Sequence, residues 1–115
     1  MQRFSLGALG HELLDRVNAA GGGHTADTVV GGHEHVLRQT VIAMVKDAAL
    51  AEHEIPGEAS VYVLSGRVRL ASAESSWDGR GGDLLLVPDA RHSLEALEES
   101  VVLLTVAKVL HQANR

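Results

Sequence analysis

The chain has no cysteine, two prolines and three aromatic residues in 115. Without cysteine there is no disulfide framework, no thiolate metal site and no cysteine nucleophile. With only Phe4, Tyr62 and Trp77 as aromatics, the core must be filled by Val, Leu, Ile and Ala. Basic residues are few and scattered, and the net charge is −5 with histidines neutral. No basic stripe exists to follow a phosphate backbone, so nucleic acid is not an expected partner. No apolar run approaches the roughly 20 residues of a membrane-spanning helix. The N-terminus has no basic region followed by a long apolar core, so neither a membrane nor a signal peptide is expected. A cytoplasmic location agrees with the missing cysteine.

Apolar residues make up 45% and charged residues 22%, as in ordinary globular domains. The length suits one hydrophobic core. Seven histidines are many for this length, and three of them (His24, His33, His35) fall within residues 24–35.

Residues 5–20 read as a helix. Leu6, Leu9, Leu13, Leu14 and Val17 form one stripe at helical spacing. Ser5 suits the N-cap, and Gly21-Gly22-Gly23 suits the C-terminus. So short a helix needs a surface to lie on. His11 is expected on its solvated side. Three segments follow: a helix and glycine linker over 1–23, a β-barrel over 24–110 and a tail over 111–115.

From residue 25 the apolar period shortens to that of strands. Candidates are 25–30, 33–46, 50–53, 60–64, 67–71, 84–87, 92–96 and 101–110, separated by turn residues. Over 33–46 the face with His35, Leu37, Gln39, Val41, Ala43 and Val45 is the more apolar, so it is assigned to the core. Residues 60–64 and 67–71 read as a hairpin about Ser65-Gly66. Residues 72–82 read as a polar connection, with Trp77 as a lid on the barrel end. This many short strands argue for an all-β sandwich or barrel. Tyr62 falls on an outward parity, at a helix contact or an interface. The strands at 60–64, 84–87 and 101–110 are apolar on both faces, so their outer faces need covering. The helix can cover one patch, and a second subunit, making a homodimer, another.

Two stretches carry a resemblance. In HEIPGEASVYVLSG (53–66) a histidine enters an apolar strand that leaves through Gly66. In GDLLLVPDARH (82–92) an apolar strand ends at Pro88 and delivers His92. The chain resembles the small single-domain bacterial cupins over about residues 35–107. Their motifs are G-x5-H-x-H-x3,4-E-x6-G and G-x5-P-x-G-x2-H-x3-N. Gly66 and His53 match the first motif; Gly82 and Pro88 match the second. His92 stands one residue nearer the proline than the motif histidine. The resemblance implies a cupin jelly-roll barrel holding a divalent metal on three histidines and a glutamate. This sequence departs from that pattern. Ile55 occupies the second histidine position and Ala59 the glutamate position, with Glu58 beside it. The second motif's asparagine has no counterpart.

The resemblance therefore implies His53 and His92 as metal positions. The strand face assigned to the core adds His35, which would complete a three-histidine site for zinc, nickel, iron or manganese. Gln39, Ile55 and Ala59 would line the pocket. The plainer reading of the same histidines is a half-buried polar pocket, hydrogen-bonded to backbone, water or Gln39. His33-Glu34-His35 reads first as a strand-edge loop. The expected function is binding of a small organic molecule in a histidine-lined pocket with an incomplete metal site. The alternative is a metal-dependent enzyme with isomerase, dioxygenase or lyase-like chemistry.

Overall fold

The computed structural model describes residues 2–53, 57–88 and 90–108, with backbone alone at 51–53 and 57. Helix α1 (Leu6–Ala20) comes first. Ser5 caps it by accepting from the Ala8 N–H at 3.4 Å, and Gly21 ends it at φ 80° in the left-handed region. Both ends follow the sequence expectation: Ser5 Oγ takes one of the orphaned N–H groups, and the Gly21 N–H reaches back to the Val17 carbonyl at 3.1 Å.

Nine strands follow: β1 (His24–Val30), β2 (Leu37–Met44), β3 (Ala49–His53), β4 (Gly57–Ser65), β5 (Arg67–Ser72), β6 (Ser76–Arg80), β7 (Leu84–Leu86), β8 (His92–Ala96) and β9 (Ser100–Lys108). They form two antiparallel sheets, ordered β1-β2-β9-β4-β7 and β3-β8-β5-β6.

The core between the sheets is aliphatic. Ile42, Met44, Val61, Val63 and Val102 meet Val68, Leu70, Leu94 and Ala96 across the gap. A second cluster lies outside the first sheet, where Leu13 and Val17 of α1 pack on Val41, Ala43 and Val101. Gly10 lets the helix come close: a Cβ there would stand 2.8 Å from Cγ1 of Val101.

Four details differ from the sequence expectation. First, β2 begins at Leu37, and residues 33–36 form a turn and bend instead of strand. Second, both faces of β2 are buried over 41–44, because α1 covers the outer one. The barrel interior receives Ile42 and Met44, whereas Val41 and Ala43 face the helix. The parity of Gln39 is thus that of the outer face. Third, β4 and β5 are not a hairpin. They lie in different sheets, and Gly66, at φ 86°, turns the chain from one to the other. A Cβ at Gly66 would collide with the Glu99 carbonyl, so only glycine fits this corner. Fourth, residues 76–80 form strand β6 and do not connect as a loop. Four of its five residues are exposed, so no apolar alternation marked it.

Candidate functional site

Strand β8 delivers His92 to the interior. Its residues alternate in burial, and His92 is 4% exposed. Its Nδ1 stands 3.0 Å from the Ala90 carbonyl oxygen. A carbonyl only accepts, so Nδ1 carries the proton and, in the neutral ring, Nε2 is the lone-pair atom. A backbone carbonyl fixing one imidazole nitrogen is also the arrangement that orients metal-ligating histidines.

His92 lines a cavity of about 20 Å3 between the sheets. Ile42, Val61 and Leu104 wall it from the first sheet, and Leu50, Leu70 and Leu94 from the second. Among the described residues His92 is the one polar side chain of the lining. The volume suffices for a single water, which needs roughly 10–15 Å3 and at least two polar partners. One imidazole does not supply that number. The cavity is far below the roughly 300 Å3 at which small-molecule pockets begin.

His53 and His92 are partners in the β3–β8 ladder, as are Ser72 and His92 in the β5–β8 ladder. The two motif-matched histidines therefore stand opposite each other in backbone register. Ile55 lies outside the described residues.

The other positions are placed as follows. Ala59 is half-buried, on the interior parity of Val61 and Val63, and its carbonyl accepts from the Val87 N–H at 3.0 Å. Glu58, on the opposite parity, is exposed. Gln39 donates to Thr105 Oγ1 at 3.2 Å and does not line the cavity, because the burial of Val41 and Ala43 under α1 puts its parity outside. His35 lies in the turn before β2 with its side chain 51% exposed, its Nε2 3.8 Å from Glu34 Oε2. The strand that was to carry His33 and His35 on one face starts after them. Among the described residues, no three of His, Asp and Glu gather as a metal-holding group. No helix among them is long and apolar enough to cross a membrane.

The cavity walls went unnamed at the level of sequence. Leu70 and Leu94 sit in short strands whose apolar residues could face a core or a pocket equally. Only their register across the second sheet brings them together.

No protein-family model matches the chain, and no curated protein matches it. Solved structures do. A conserved Streptococcus pyogenes protein of unknown function is 27% identical, over 76% of each chain, with a TM-score of 0.68. An RmlC-like cupin from Shewanella frigidimarina is 19% identical over 81% of each chain, with a TM-score of 0.66. A cupin-superfamily protein from Desulfitobacterium hafniense is 14% identical, over 75% of this chain and 78% of that one, with a TM-score of 0.67. With two antiparallel sheets, the Gly66 corner and a strand that ends before Pro88, the chain has the jelly-roll fold of a small single-domain cupin.

Proposed function

We propose that this protein binds a small organic molecule in the barrel, in a cavity that widens on binding from about 20 Å3, with His92 in its lining and His53 opposite it in backbone register. The observation that carries the reading is a buried imidazole, oriented by a backbone carbonyl, in an otherwise aliphatic lining. Burial of a polar ring among leucines is costly unless its nitrogens are held, and the Ala90 carbonyl holds Nδ1.

The same two histidines are the pair that zinc, nickel, iron or manganese would use. A divalent ion needs three or four ligands for a well-formed site. Among the described residues no such set gathers, and the reading keeps the site incomplete because Ile55 and Ala59 stand at two of the ligand positions of the cupin motif. His35 follows Gly32 in the turn at the start of β2, and it completes the site only if that turn folds inward. The proposal includes a cytoplasmic homodimer. Its support is the outer face of the first sheet, where Leu37, Tyr62, Leu84 and Leu86 remain exposed beyond the helix.

The test is a ligand-observed NMR screen of small phenols, carboxylates and sugars against wild type and His92→Ala. Compounds that bind wild type and lose contact in the variant are the expected result. A screen in which no compound distinguishes the two overturns the reading. Titration of chelator-stripped, tag-free protein with the four metals addresses the ion separately. Weak uptake that disappears in both His92→Ala and His53→Ala is expected.

A further inference from the structure

The outer face of the second sheet carries two neighbouring cross-strand pairs of opposite kind. The β5–β6 ladder sets Arg69 against Asp78 and Arg67 against Arg80. The first pair is closed, with the Asp78 carboxylate held at two points by Arg69. The second places two like charges directly opposite each other, an arrangement that repels. Among the described residues neither guanidinium meets a carboxylate. The acids nearby in the chain are engaged elsewhere. Asp83 accepts from the Arg80 backbone N–H at 2.9 Å, and Glu99 accepts from Asn18 at 2.9 Å. The Nε of Arg67 is moreover shut off from solvent and has no acceptor. A shielded donor without a partner calls for a water or an ion to explain it.

We propose that Arg67 and Arg80 form a binding site for a phosphoryl group, either free phosphate or the end of a small phosphomonoester. Residues opposed in an antiparallel ladder have Cβ atoms about 5 Å apart, so two guanidiniums there can reach one oxyanion together. Arginine presents its donors in a planar fork that matches phosphate. The bound anion turns a repelling pair into an attractive triad. Two positive charges suit a dianion, so a carboxylate is the poorer occupant. The net charge of −5 does not forbid this, because fields are screened beyond about 8 Å at physiological salt.

The site is separate from the barrel pocket. Val68 points into the core, so its neighbour Arg67 points away from it. His92 pairs with Ser72 at the other end of β5, about 17 Å along the strand. The proposed homodimer covers the first sheet and leaves this face open. Arg67 directly follows Gly66, and the Gly81 N–H, next to Arg80, donates to the Gly66 carbonyl at 3.2 Å. An anion across the two arginines therefore clasps the corner that joins the sheets.

The test is phosphorus NMR of inorganic phosphate titrated with the full chain at low salt. Saturable broadening is expected with wild type, together with a melting midpoint that rises with phosphate concentration. Arg80→Gln, at an exposed position, should weaken binding about tenfold, the scale of one charged hydrogen bond, and Arg67→Gln likewise. Arg80→Glu sets a carboxylate opposite Arg67. It should abolish the phosphate response while its midpoint in phosphate-free buffer equals or exceeds that of wild type, which separates lost binding from lost folding. Arg38→Gln removes the same charge from the first sheet and should bind as wild type does. Acetate should compete at least tenfold more weakly than phosphate. Glycerol phosphate distinguishes the sources: tighter binding than phosphate identifies a phosphomonoester, equal or weaker binding free phosphate. Absence of saturable broadening in wild type overturns the site and leaves a water at Nε. Binding that survives Arg80→Gln and Arg80→Glu also overturns it, as does an equal loss in Arg38→Gln, which assigns the effect to overall charge.

Discussion

The outer faces of the two sheets are built on opposite chemistry. On the second sheet the outward residues are charged or small: Arg69 is paired with Asp78 on one side and Glu95 on the other, and Arg67 with Arg80. Arg69 and Asp78 meet in a two-point ion pair, at 2.8 and 3.3 Å, and both remain exposed to solvent. On the first sheet the outward residues under and beside the helix are mostly apolar, while Gln39, Thr105 and Glu58 lie toward the sheet's other end. Val41, Ala43 and Val101 lie buried under α1, whereas Tyr62, Leu84 and Leu86 stay exposed, Leu86 at 73%. One face therefore needs nothing, and the other needs a cover. The barrel keeps its interior in either case, because the residues between the sheets do not depend on what lies outside. The lesson concerns division of labour. Helix α1 is a structural cover, and its stripe explains a second apolar cluster, outside the first sheet, that the barrel alone does not require.

The comparison can be broken most forcefully at the helix. Leu13 is fully buried in the outer cluster, and Leu13→Ala should cost about 2–5 kcal/mol in urea denaturation, as buried leucines do. A loss below about 1 kcal/mol would mean that the helix does not hold the apolar face. Gly66→Ala comes next, because it strikes the corner that separates the two sheets. A non-glycine residue in the left-handed region, crowded against the Glu99 carbonyl, should lose about 2–4 kcal/mol by the same measurement. A near-neutral result would show that the corner relaxes.

A third variant tests the uncovered half of the apolar face. Tyr62→Arg should halve the mass measured by analytical ultracentrifugation and leave the melting profile of the protomer in place. A wild-type protein already monomeric at micromolar concentration would remove the need for a second copy. The smallest effect is expected on the charged face. Arg69→Ala should leave the urea midpoint nearly unchanged, since exposed ion pairs contribute little.

The same pair has a pH signature. The hydrogen bond from Arg69 holds the Asp78 carboxyl below its ordinary value. A depressed carboxyl stabilises the folded state above the unfolded pKa, and that contribution is lost as the pH falls through the lowered one. The difference in melting midpoint between wild type and Asp78→Asn should therefore be present at pH 7 and close in the acid range below the usual carboxylate pKa of about 3.9. It should also shrink in high salt. A difference that persists undiminished at acid pH would assign it to something other than the ion pair.

Local chemistry made much of the architecture legible. Ser5 and the glycines at 21–23 bounded the helix correctly, because caps act within one turn. The strands at 92–96 and 67–71 were readable from alternation, since each has one face inside. Strand β6 was not, because an edge strand with four exposed residues leaves no apolar period. The site was legible in part. His92 was expected inward and is buried. Gln39 was expected inward and is not, since a strand apolar on both faces does not reveal which side is the core. His35 was expected on a strand and stands in a turn, because Gly31-Gly32 delays the start of β2.

What the chain determined alone, then, is what neighbouring residues decide: the helix and its ends, the number and spacing of most strands, the Gly66 turn and the aliphatic nature of the core. The tertiary structure decided what distant residues settle together. It put β4 and β5 in separate sheets, gave Ile42 and not Val41 to the interior, and brought Leu70 and Leu94 to one cavity with His92. The physical reason is that burial depends on what arrives from elsewhere in the chain. A strand carries its own alternation, but the identity of its covered face belongs to the helix or sheet that packs against it.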